Sequence, residues 1–242
     1  MKKTTLLLST VIMMSCGNSQ IKKDSANSSK EQVKKEEVNY NDGKLNGVHK
    51  EYYETGKLKI EATYKDGKKD GAYKSYYENG QLQDDAIFKD GNLIGVAKMY
   101  SQNGRLGRVE TYKDGKKDGE YKSYYENGQL EEQGTFKDDK YDGGFKQYYE
   151  NGQLKIEYSF KDDKWDGVFK HYYENGQLES IESYKEGIKD GVWKHYFSNG
   201  GLGFEGNYKN GNEDGIWKYY DKGRLTKEIT FSNGTRINEK QY

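Results

Sequence analysis

One element recurs every 24 residues from Tyr40 almost to the C-terminus, and this period constrains the fold more than any other feature. Copies begin at Tyr40, Tyr64, Phe88, Tyr112, Phe136, Phe160, Tyr184 and Tyr208. Phe231 opens a ninth that stops after a few residues, and the eighth is one residue short near Asp221. The consensus reads Y-K-D-G-K-K-D-G-x-Y-K-x-Y-Y-E-N-G-Q-L, followed by five variable residues. Three positions never change within the chain: the second glycine (Gly47, Gly71, Gly95, Gly119, Gly143, Gly167, Gly191, Gly215), the lysine three residues on, and the leucine after the second turn (Leu58 through Leu225). A unit of this size stacks on its neighbours to bury apolar surface.

The punctuation of the unit is that of hairpins. Asn79-Gly80 lies between Tyr-Tyr-Glu and Gln-Leu, which predicts a two-residue type I′ turn with both residues at positive φ. Asp66-Gly67 repeats the device at the other end of the strand. A helical repeat is excluded, because glycine would break the helix in every copy. With Asn79-Gly80 as the loop, Tyr77 faces Leu82, Tyr73 faces Ala86 and Gly71 faces Phe88. Alternation then puts the rings after the invariant glycine on one face, with the second Tyr of the pair and the leucine. The invariant glycine is expected to leave room for a ring over the backbone. The other face carries the invariant lysines opposite acids: Lys50 and Glu61, Lys74 and Asp85, Lys146 and Glu157, Lys194 and Glu205.

The composition fits a thin, ring-rich structure. There are 24 Tyr, 8 Phe and 3 Trp, with 30 Gly and no Pro. Forty basic residues balance forty acidic ones, which rules out the basic field of a nucleic-acid binder and the high net charge of a disordered chain.

The N-terminus reads differently. Lys2 and Lys3 precede a short apolar run from Leu6 to Met14, followed by Ser15-Cys16. The run is too short to span a bilayer and fits a signal peptide. Residues 1–16 resemble a bacterial lipoprotein signal, which implies lipidation of Cys16 and export to the cell envelope, on the periplasmic face or the cell surface. The competing reading is an ordinary cleaved secretory signal. Residues 17–39 are Ser- and Lys-rich without apolar periodicity, the composition of a flexible linker. Residues 40–242 hold the eight repeats and the partial ninth.

The consensus closely resembles the bacterial variant of the MORN repeat, over residues 40 to about 235. The resemblance implies an all-β, elongated, twisted, single-layer antiparallel ribbon of stacked β-hairpins, with an interaction role and no catalytic residues. Proteins dominated by this variant are commonly named YwqK-type antitoxins of toxin–antitoxin modules, which implies a protein partner in the form of a cognate toxin. Export and anchoring depart from that pattern, and so does the third copy, where Ala97 and Ser101 replace rings.

No catalytic constellation stands out, so the chain is read as non-enzymatic, without cofactor or metal. His171 and His195 share one position in adjacent copies, two strands or about 9–10 Å apart, too far to share an ion readily. Asp138-Asp139 and Asp162-Asp163 read as turn residues before lysine, not calcium ligands. Protein–protein interaction is the leading function, with Phe145, Phe169, Tyr173, Trp193, Phe197 and Trp217 as candidate partner-binding residues. Binding of glycan or cell wall through stacked rings and a structural surface scaffold are the alternatives, and self-association would also cover the aromatic face. The signal reading is checked by Cys16→Ser, which should move the protein from the membrane to the soluble fraction. A mature N-terminus well beyond Cys16 would refute it.

Overall fold

The computed structural model describes residues 36–242, so the signal with Cys16 and most of the linker lie outside the described residues. What is described is strand and turn throughout, without a helix. The end of the polar stretch already belongs to the sheet: Glu36–Glu37 pairs along the outer edge of Gly47–Tyr52. From there the long strands run antiparallel one to the next, as in Lys68–Tyr76 with Leu82–Lys89 and then Asn92–Tyr100. Tyr40–Asn41 and Lys44–Leu45 form a small separate hairpin. At the far end Thr235–Gln241 pairs with Arg224–Ser232. Substantial contacts join only strands adjacent or nearly adjacent in sequence, so the sheet is a single antiparallel layer. The expected hairpin ribbon is thus the observed fold.

The two turns of each copy differ in a way the sequence reading missed. Asp66-Gly67 is the expected two-residue type I′ turn, with φ of +51° and +83° and Lys65 paired to Lys68. Asn79 has no positive φ, and only Gly80 does, at +90°. The Tyr77 amide donates to the Gln81 carbonyl and the Gly80 amide to the Tyr77 carbonyl, each at 2.8 Å. Three residues, Glu78-Asn79-Gly80, therefore form the loop, with glycine closing it in the left-handed conformation. The register shifts between Ser75 and Tyr76, so Leu82 faces Tyr76, not Tyr77. Gly71 opposite Phe88 and Tyr73 opposite Ala86 are as expected.

This bulge has a use. The shift skips Gln83 on the facing strand, and in most copies the carbonyl of the first Tyr of the pair, beside the shift, receives a phenol from the preceding copy. Tyr53 donates to the Tyr76 carbonyl (2.6 Å), Tyr77 to Tyr100 (2.8 Å), Tyr125 to Tyr148 (2.6 Å), Tyr149 to Tyr172 (2.7 Å) and Tyr173 to Tyr196 (2.8 Å). The loop asparagine adds a second link: Asn79 Oδ1 accepts from the Gln81 amide at 2.9 Å and its Nδ2 donates to the Gln102 carbonyl at 2.6 Å. Asn127 and Asn175 repeat this toward Glu150 and Ser198. Ser101 and Phe197 lack the phenol, so the row is interrupted at copies three and seven. In copy three Arg105 instead donates to the Glu126 carbonyl.

The invariant glycine also needs correction. All eight have positive φ, from +67° at Gly95 to +130° at Gly71, a region that any side chain strains. At Gly119 (φ +128°) an added Cβ would lie 2.9 Å from Thr111 Cβ, so a threonine, not a ring, crowds the position. Rings do cover glycine elsewhere: Phe145 lies over Gly134 and Trp217 over Gly206, both on the partner strand. Gly119→Val should therefore fray copies three and four, at a cost on the order of 1–3 kcal/mol for the strained backbone. In the unmodified chain, hydrogen exchange should open first around residues 96–106, the ends apart, where Ser101 has no phenol to reach the next copy. Uniform protection across internal copies would count against this.

Candidate functional site

The ring face is built from two residues on facing strands per copy and a third that covers them. Tyr73 meets Phe88 edge-on at 5.5 Å between centroids, and Tyr121 meets Phe136 at 5.5 Å. Phe145 and Phe169 both stack on Tyr158, at 5.7 and 5.2 Å, and Trp193 and Trp217 both contact Tyr208, at 5.0 and 5.2 Å. Each such pair contributes about 0.5–1.5 kcal/mol beyond its buried area. The covering residue, sixth in the copy, went unrecognised in the sequence because its identity varies. It is a lysine in three copies. Lys69 Nζ lies 4.3 Å from the Tyr73 centroid, Lys117 Nζ 5.1 Å from Phe136, and Lys189 Nζ 4.1 Å from Trp193. In copies five and six it is a ring: Tyr141 meets Phe145 at 5.0 Å and Trp165 meets Phe169 at 4.8 Å.

The six candidate partner-binding residues separate by exposure. Phe145, Phe169 and Trp217 are buried against neighbouring strands, with Phe145 fully covered. Trp193 and Tyr173 are half-buried. Phe197 alone is open, at 43% exposure. Nor do the six form one patch. Tyr173 lies in the phenol row and Phe197 against His195 (5.9 Å), and among the described residues no ring contact joins either to the tryptophans. His171 and His195 both pair with Ser180 from opposite sides, and each stacks on a phenylalanine, His171 on Phe169 and His195 on Phe204.

On the lysine face all four predicted pairs stand opposite in register, and among the described residues three of them close as ion pairs, Lys74 and Asp85 being the exception. Lys50 meets Glu61 at 3.2 Å and Lys194 meets Glu205 at 2.8 Å, while Glu157 lies between Lys146 (3.4 Å) and Lys170 (3.3 Å). Burial pushes the Glu157 carboxyl up, but hydrogen bonds from Lys170 and Lys146 outweigh it and hold the group below its ordinary range. This face also shows branched apolar residues directly after the invariant glycine: Val48, Val96, Val168, Val192 and Ile216 are all exposed. Asp139 and Asp163 occupy left-handed turn positions, and their carboxylates accept the backbone amides of Lys117 (2.8 Å) and Tyr141 (2.7 Å).

The profile of the MORN repeat variant matches residues 45–66, 69–90, 117–138, 141–162, 165–186 and 189–210, more than half of the chain. The chain belongs to the MORN repeat variant family. Repeats of this kind commonly mediate interactions with proteins or membranes. The internal stretch that the MORN profile passes over contains Ala97 and Ser101, the two lost rings. No curated protein matches the chain. Among solved structures, the crystal structure of TcdB2-TccC3 aligns at 12% identity and a TM-score of 0.21, over 80% of this chain and 14% of that one. The MORN chain thus spans a small part of that protein's length.

The sixth MORN copy carries a polar group on the ring face. Glu182 accepts hydrogen bonds from Ser180 (3.3 Å) and from the Tyr184 hydroxyl (3.0 Å). Burial first, and then the Glu182 carboxylate, push the Tyr184 phenol up to about 12. The neutral phenol is favoured by folding, so this stabilisation is complete below the ordinary tyrosine value of about 10 and is lost as pH rises toward 12. Glu182→Gln should lower the Tyr184 midpoint, as followed by NMR of the ring carbons, without restoring the ordinary value, because burial remains. An unchanged midpoint would remove the carboxylate as a cause.

Proposed function

We propose that the ribbon is a non-enzymatic docking module for a protein partner. The observation that carries this reading is Phe197. At the equivalent position Tyr53, Tyr77, Tyr125, Tyr149 and Tyr173 each donate a phenol to the next copy. Phe197 has no such group to give, yet keeps a ring exposed beside a recess formed with Ser198, Asn199, Asp221 and Lys222. An exposed aromatic at the rim of a recess has the character of a binding anchor. The eighth copy's shortened loop, which lines the recess, turns at Lys222-Gly223.

The finer form of the reading follows the family resemblance. The partner is a toxin that this chain neutralises, and a lipid on Cys16 holds the complex at an envelope membrane. A second reading rests on the exposed apolar row of Val168, Val192 and Ile216, which would place the partner on the lysine face. Affinity purification of the mature protein from its own host supplies the partner. Phe197→Ala should then weaken binding at least about tenfold, as expected of a central anchor, with a small change in thermal melting. Lys170→Ala should change little, because rim charges carry little affinity. If Val192→Glu or Lys170→Ala abolishes binding while Phe197→Ala is silent, the lysine face is the site.

A further inference from the structure

The ring face opens into a cleft of about 440 Å³ at copy six, walled by Tyr158, Phe160, Trp165, Phe169 and Tyr184, with Glu182 and His171 also lining it. In copies two, four and seven the corresponding covering position is lysine, and its ammonium lies against ring faces of the same chain. Lys69 Nζ is 4.3 Å from the Tyr73 centroid and 4.9 Å from Phe88. Copy four shows the full arrangement. Lys117 Nζ lies 5.1 Å from the Phe136 centroid and 2.8 Å from the buried carboxylate of Glu110. Glu182 occupies in its copy the position that Glu110 occupies in its own.

At copy six the cleft itself is lined by rings and a carboxylate and by no ammonium. Position 165 is tryptophan, and no lysine or arginine lines the cleft. Lys189 stands in sequence to Glu182 as Lys117 does to Glu110, but its ammonium lies 4.1 Å from the Trp193 centroid and 4.9 Å from Tyr208. Glu182 is held by Ser180 and Tyr184, and among the described residues it has no ion-pair partner. A half-buried carboxylate beside the faces of several rings attracts a cation through both charge and ring quadrupole.

We propose that this cleft binds an alkylammonium group, the side chain of a lysine presented by the partner. The proposal rests on the docking reading above and names the chemistry of one contact. Lys189 is engaged on the Trp193 side of Glu182, and the cleft opens on the Phe169 side, with a volume ample for one extended lysine side chain.

The test titrates the intact chain with Nα-acetyl-lysine amide and follows the Tyr184 ring resonances. Nα-acetyl-norleucine amide, of similar shape without the ammonium, and N-acetylglucosamine serve as comparisons. The lysine probe should give a saturable shift, with the norleucine probe at least about tenfold weaker, the loss expected for a charge-assisted hydrogen bond. Glu182→Gln should weaken the lysine probe to a similar degree. Trp165→Lys should abolish its binding while leaving the fold intact, because it restores the residue that copies two, four and seven carry at that position. The proposal falls if the lysine probe gives no saturable shift, if norleucine or the sugar binds as well as lysine, or if Trp165→Lys binds undiminished. If it falls while partner binding still depends on Phe197, the docking reading stands and only this site is lost.

Discussion

A sheet one layer thick has no second layer to cover its rings, so they must be buried by neighbours within the same sheet. That requirement explains the lateral packing along the ring face. Phe145 is fully covered because Tyr158, Tyr141, Phe136 and Phe160 surround it from adjoining strands. Where a facing position is glycine, as at Gly134 and Gly206, the ring settles onto the backbone itself. Aliphatic side chains would bury less area per residue in such a layer, whereas an aromatic ring covers about 150–250 Å². The covering lysines serve the same end, since their stems and ammonium groups close over rings that would otherwise face water.

The architecture was legible in the sequence because the period, the glycines and the alternation agree with one another. The 24-residue spacing, Asp66-Gly67 and the Lys–Glu pairs each predicted features that are observed. The Asn79-Gly80 turn was misread because the dipeptide fits both a two-residue loop and the end of a three-residue one. Local preference alone does not choose between them. The choice is settled by the interaction between copies: with the three-residue loop the register shifts beside Tyr76, whose carbonyl the Tyr53 phenol meets. The role of Gly119 was misassigned for a similar reason, since a sequence shows that glycine is needed but not whether φ or space demands it.

The candidate site was less legible. Counting rings picked out Phe145, Phe169 and Trp217, and the structure uses these largely to hold the ribbon together. The sixth position of each copy shapes the ring face more directly, but its alternation between lysine and aromatic hides it from a consensus. Phe197 was visible as a residue and not as an exception. It becomes informative only once its tyrosine counterparts are seen to give their hydroxyls to the next copy.

The row of tyrosine hydroxyls bears on how such a chain can change by descent. Each phenol reaches forward from one copy to a carbonyl 23 residues further on, and the direction is the same along the row. An in-frame duplication or loss of one whole unit leaves the phenols facing carbonyls, with the loops in step. An insertion or deletion of any other length within the array sets the row out of step at that point. Lineages carrying this fold are therefore free to vary in copy number while being held to the length of a single copy, so that the ribbon's reach can be inherited as a count.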